Sequence, residues 1–158
     1  MTRFWPDELL TRGVIWRRIL SWGLDAVLLA VGLAALHVAL LAFGLLTLGL
    51  GLPLLAALPA VPFLYTWLCV ANLGATPGQA LAGLAVRADA TLARPDGTQA
   101  LLYTAGYWLT LATGGLPFLL VLVTPRHRAL HDMLGGVAVL RADALAPHAA
   151  RPARGLAA

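Results

Sequence analysis

Residues 19–75 read ILSWGLDAVLLAVGLAALHVALLAFGLLTLGLGLPLLAALPAVPFLYTWLCVANLGA, and Asp25 is the only formally charged side chain among them. A run of this length holds two membrane spans of about 20 residues with a turn between them. The turn falls in LTLGLGLPLL (residues 46–55), where Gly49, Gly51 and Pro53 cluster. These signals predict a first helix over 17–47 and a second over 52–74. At 1.5 Å per residue the first would measure about 45 Å, more than a hydrocarbon core of about 30 Å, so it must tilt or project. Pro59 and Pro62 predict a kink or local break in the second.

The rest of the composition agrees. Of 158 residues, 60% are hydrophobic and 11% charged, and the mean hydropathy is +0.83. Soluble domains carry about 45–50% apolar and about 25% charged residues. A soluble enzyme, a disordered tail and a collagen-like fibre are therefore excluded. Cys69 is the only cysteine, so no intrachain disulfide forms. All eleven basic residues are arginines, set against seven acids. They are not interleaved with stacking aromatics, so the basic balance points to anionic lipid and not to nucleic acid.

The N-terminus, MTRFWPDELLTRGVIWRR, does not read as a cleavable signal, because the apolar stretch that follows exceeds a signal's h-region. Residues 1–16 read as an amphipathic segment on the membrane surface, with Phe4, Leu9, Leu10, Val14 and Ile15 on its apolar side. Trp5, Trp16 and Trp22 suit headgroup level. Residues 76–99 are too polar to span and read as a cytoplasmic loop. Within it Leu84–Ala88 resembles a short strand, a local hairpin is one option, and Asp96-Gly97 is a turn signal. The membrane domain runs over 17–141, and 142–158 reads as a disordered tail.

Residues 100–124 are apolar but interrupted by Gly114-Gly115-Leu116-Pro117. A single crossing would put Arg126, Arg128, Arg141, Arg151 and Arg154 on the far side from the other arginines. A re-entrant hairpin keeps all of them on one side, which the positive-inside rule favours. The fold expected is thus all-α and integral to the membrane. It has two long transmembrane helices, a third apolar segment that spans or turns back, and a short cytoplasmic loop.

Arg18 and Asp25 lie seven residues apart, about 700° around a helix, hence on nearly one face with Ser21. A charged aspartate at a span's centre costs about 2.5–3.5 kcal/mol on insertion scales, and less near the interface. Asp25 should face protein, pair with a cation or take a proton. Arg18 sits about 10 Å back along the helix, so an arginine from the later loop is the expected partner. Ala26, Ala30 and Ala34 form a small-residue ribbon that permits close helix contact. His37, mid-span, is either a proton-relay member or a neutral histidine bonded to a neighbouring helix. His127 and His131 are spaced i, i+4, but no third ligand completes a metal site. A hydrogen-bonded His131–Asp132 pair is the simpler expectation. No metal and no cofactor are expected.

Three pieces together resemble the RDD family of small membrane proteins, named for an arginine and two aspartates. RRILSWGLD resembles its opening helix, with Arg18 and Asp25 at the signature arginine and first aspartate. TPGQALAGLAVR resembles its Thr-x-Gly-Lys…Gly-Leu-x-Val segment, which places Thr76, Gly78 and Gly83. RHRALHDMLGGVAVL, which contains Arg128 and His131, resembles its closing Leu-His-Asp motif, with Asp132 at the second aspartate. The likeness covers residues 12–141. Gln79 departs from the family's usual lysine or arginine, Tyr103-Thr104 lacks an arginine often found there, and Gly136-Val137 replaces a Gly-Thr.

The resemblance implies a multi-span helical protein. Some relatives are described as cation/proton antiporters and others as parts of membrane assemblies. Two roles follow as expectations. In one, proton and cation compete for Asp25, and a homo-oligomer supplies the helices one chain lacks. In the other, Arg18, Asp25 and Asp132 form a structural clasp in a scaffold or accessory subunit with a membrane-protein partner. No nucleophile elbow or phosphate loop marks an enzyme. The expected place is the plasma (inner) membrane of a bacterium, with the N-terminus cytoplasmic.

Overall fold

The computed structural model describes residues 10–124 and 126–149. Helix α1 (Val14–Leu46) is 33 residues long, about 50 Å at the α-helical rise. It ends at Thr47, whose hydroxyl donates to the Phe43 carbonyl and accepts from the Gly51 amide. The chain reverses there and climbs through a 3-10 segment (Leu52–Ala60) into α2 (Val61–Leu73). Pro53 and Pro59 lie in that segment. Proline removes an amide donor and crowds the preceding turn, so the expected break appears as a change of helix type. The 33-residue helix and the 22-residue run Leu52–Leu73 are both long and apolar enough to cross a membrane. Their outer faces stay bare: Val27, Val31 and Val38 are each more than 60% exposed. So broad an apolar surface needs lipid or another membrane chain against it.

Beyond α2 the chain builds a compact pole. It contains α3 (Pro77–Leu81), β1 (Leu84–Ala88), α4 (Gly97–Ala112), a 3-10 segment (Leu116–Leu122), α5 (Leu130–Leu134), β2 (Val137–Arg141) and α6 (Ala142–Ala149). Strand β1 falls where the sequence placed it. Its partner is not local, because β2 pairs with it antiparallel, Val86 opposite Val139. The two strands bring together parts of the chain on either side of the third apolar segment. Val14, Val70, Ala82, Leu84, Val86, Ala100, Tyr103, Val137 and Val139 form the core at this pole.

The third apolar segment turns back. Helix α4 and the 3-10 segment after it meet at a bend of 113°, made at Gly114 and Gly115, both with φ above +70°. Both ends of the segment are tied to the same pole. The Trp67 indole donates to the Gly97 carbonyl, and Arg126 and Arg128 both pair with Asp89, just past β1. Arg17, Arg18, Arg87, Arg94, Arg126, Arg128 and Arg141 therefore gather at one end of the molecule.

Other expectations need correction. Leu10 and Val14, expected on a membrane surface, are 2% and 0% exposed; Leu10 packs under Ala138 and Leu140 of β2. Phe4, Trp5 and Leu9 lie outside the described residues. Asp96 does not make a turn with Gly97. It caps α4 in a capping box, accepting from the Gln99 amide while the Gln99 side chain accepts from Asp96. Residues 142–149, expected to be disordered, form α6, started by Arg141 and Asp143 in an ion pair.

Candidate functional site

The sequence placed Arg18 and Asp25 on one face of α1. The structure keeps that face and sends the two residues to different elements. Arg18 Nη2 donates to Asp132 Oδ2 at 2.6 Å. Both are buried, Arg18 at 7% exposure and Asp132 at 0%. Asp132 stands in the first turn of α5 and its Oδ2 also accepts from the Ala129 amide at 2.9 Å. An acid there suits the helix N-terminus and fastens the turn. A buried pair of this kind is costly to break, because the surviving charge is left without a counterion in a poor solvent.

His131 stands beside the pair. Its Nε2 is 3.5 Å from Asp132 Oδ1 and its Nδ1 is 3.4 Å from the Thr110 hydroxyl. Tyr103 and Tyr107 meet its ring edge-on and Phe118 stacks on it. Burial pushes the imidazole below its ordinary value; the Asp132 carboxylate pulls it up and the Arg18 guanidinium pushes it down. It is therefore neutral at physiological pH. His127, the other half of the i, i+4 pair, turns away to the Val121 carbonyl. Among the described residues no group of three His, Cys, Asp or Glu side chains is placed to hold a metal.

Among the described residues Asp25 has no arginine partner, contrary to expectation. The loop arginines are taken by carbonyls: Arg87 by those of Gly74 and Val86, Arg94 by that of Asn72. Three uncharged donors hold Asp25 instead. The Tyr65 hydroxyl reaches Oδ1 at 2.6 Å, the Thr76 hydroxyl reaches Oδ2 at 2.6 Å, and the Gly78 amide reaches Oδ1 at 2.9 Å. Hydroxyl and amide donors thus satisfy both of its oxygens without a countercharge.

Local chemistry puts α3 there. Thr76 and Gln79 form a reciprocal capping box around Pro77, so the Gly78 amide is free for Asp25. A Cβ on Gly78 would lie 2.5 Å from the Ser21 carbonyl and 2.6 Å from Asp25 Cγ, so only glycine permits this contact. Ser21 turns its own hydroxyl to the Arg18 carbonyl. Gly83 turns the chain into β1 with φ of +69°, in the left-handed region where side chains are rare. The Arg17 guanidinium covers this turn, donating to the Ala82 carbonyl. Arg128 takes no part in the clasp and serves the Asp89 bridge.

Gln79 joins the two clusters. Its carbonyl oxygen accepts from the Thr76 amide and its Nε2 donates to the Tyr103 hydroxyl at 3.1 Å. Gln79 is thus a neutral bridge between the Asp25 and Arg18 clusters. Two cavities flank it. One of about 300 Å³ borders Arg18 and His131; the other, about 360 Å³, borders Asp25 and Tyr65. His37 is exposed on α1 with no polar partner among the described residues, and Ala26, Ala30 and Ala34 are exposed as well.

Sequence reasoning missed Tyr65, Tyr103 and Asp89. Tyr65 is 40 positions from Asp25 and sits in an apolar helix where nothing marks it. Asp89 had one available signal, since it is an acid directly after a strand in a chain with few acids.

Neither a curated protein nor a solved structure matches this chain. The RDD family model matches residues 12–136, a stretch that contains Arg18, Asp25 and Asp132. The chain belongs to the RDD family.

Proposed function

We propose that this membrane protein is a non-catalytic scaffold or accessory subunit in which the signature residues clasp the pole to the membrane helices. The observation that carries this reading is that each signature side chain is engaged within the chain: Arg18 by Asp132, Asp25 by Tyr65, Thr76 and Gly78. The bare face of α1 is then the surface for a second membrane chain, either a copy of this one or another subunit. The arginine-bearing pole faces the cytoplasm of a bacterial plasma membrane, in keeping with the positive-inside rule. The test is Asp25→Asn in detergent and in liposomes. A lower melting temperature, with cation flux at the level of empty liposomes for wild type and variant alike, is the expected result.

A second reading, cation/proton exchange at Asp25, draws on one observation. Asp25 borders the cavity of about 360 Å³ beside the oxygens of Tyr65, Thr66 and Thr76. In this reading a cation and a proton compete for the carboxylate, and a second copy completes the pathway. It requires wild-type flux above empty liposomes and an Asp25→Asn variant that keeps its stability while losing that flux.

A further inference from the structure

The cavity of about 360 Å³ opens between α1, α2 and α4. All three tyrosines of the chain, Tyr65, Tyr103 and Tyr107, border it, together with Trp22 and Trp108. Among the described residues Asp25 is the one charged side chain in its wall, with no arginine or histidine beside it there. Hydrogen bonds already occupy the carboxylate: Oδ1 accepts from Tyr65 and Gly78, and Oδ2 accepts from Thr76. Those donors are neutral, so they spread the negative charge without cancelling it. Asp25 is half-buried and borders the cavity directly, so its field reaches an occupant.

These walls select among cations. A small metal ion needs several close oxygens to replace its water shell, and among the described residues no group of three His, Cys, Asp or Glu side chains offers them. A primary ammonium needs acceptors for three N–H donors, and the one carboxylate present is already engaged. A quaternary ammonium needs neither. It is drawn to aromatic rings and to an anion without any hydrogen bond. Trp22, Ala26 and Ala30 on the rim are exposed, so the cavity opens toward lipid. Leu29 and Leu33 carry its wall along α1 away from the arginine-bearing pole. We propose that this cavity binds a quaternary ammonium cation with an apolar substituent, its charge beside Asp25 and the aromatic rings and its substituent along Leu29 and Leu33. The site goes beyond the scaffold reading, and for the exchange reading, on which it does not depend, it names a class of cation.

The full-length protein in an uncharged detergent is dialysed to equilibrium against radiolabelled benzyltrimethylammonium and, separately, radiolabelled sodium, with empty micelles as the blank. The wild type should hold one benzyltrimethylammonium per chain and no sodium. Trp22→Leu keeps an apolar side chain at an exposed position outside the clasp. It should melt like the wild type yet bind about fivefold more weakly, the effect of one cation–π contact, and Trp22→Phe, which restores a ring, should regain most of that loss. Asp25→Asn, dialysed in the cold below its melting temperature, should fall to the blank. Tyr65→Phe loosens the same carboxylate but keeps the ring and the charge, and should bind like the wild type. Wild-type-like binding by Asp25→Asn or Trp22→Leu, a loss in Tyr65→Phe as large as in Asp25→Asn, or no ammonium held by the wild type would overturn the proposal. Sodium held in place of the ammonium would overturn it too while favouring exchange of inorganic cations, so the proposal and the exchange reading fail separately.

Discussion

Arg18 and Asp132 stand 114 positions apart in the chain and meet at 2.6 Å in a buried ion pair. The pair joins the start of the first membrane helix to the first turn of α5. Arg18→Met leaves Asp132 as a lone buried carboxylate and should cost about 3–5 kcal/mol. Arg18→Met combined with Asp132→Leu removes both charges and should recover most of that loss. Denaturation of the single and double variants in mild detergent checks it; a double variant no better than the worse single one would count against the clasp.

Tyr65→Phe removes one of three donors to Asp25 and leaves the ring in place. About 1 kcal/mol should be lost, the typical net value of a hydrogen bond, with up to about 3 kcal/mol because the acceptor is charged. A thermal melt against wild type measures it.

Gly78→Ala puts a methyl group against the Ser21 carbonyl and the Asp25 carboxyl. Neither can withdraw without moving α1, so about 1–3 kcal/mol should be lost to overpacking. Gly23→Ala, two positions from Asp25, meets nothing within 4 Å and should leave stability unchanged or slightly raised. The fraction recovered as monodisperse protein separates the two variants.

Acid should destabilise the pole through His131. Its imidazole is pushed below its ordinary value by burial, so the unfolded chain binds a proton more readily than the folded one. Stability is then fully present above the unfolded value of about 6.5 and falls as pH drops below it toward the folded value. The melting temperature should decline over that range, and His131→Gln should flatten the decline.

Because 97–124 turns back, the two ends of the described chain meet at the same pole, where Leu10 packs near Ala144 and Leu145. Alkaline phosphatase fused after residue 149 should be inactive whenever a fusion at the N-terminus reports a cytoplasmic location. Activity at the C-terminal fusion would contradict the turned-back segment.

The sequence by itself determined the two long spans, because a helix that crosses a bilayer needs about 20 predominantly apolar residues in a row, and that property is local. It also determined β1, and the family, because the resemblance is carried by three short motifs in order along the chain. Helical periodicity put Arg18 and Asp25 on one face correctly. It could not say what each would meet. Their partners, Asp132 for one and Tyr65, Thr76 and Gly78 for the other, come from segments 40 to 114 positions away. Long-range pairing has no periodicity to read, and a charge-counting argument reaches for an arginine where hydroxyls and an amide suffice. The tertiary structure alone decided that the third apolar segment returns, since that depends on β1 finding β2 and on Asp89 finding two arginines, contacts that exist only once the chain has closed on itself.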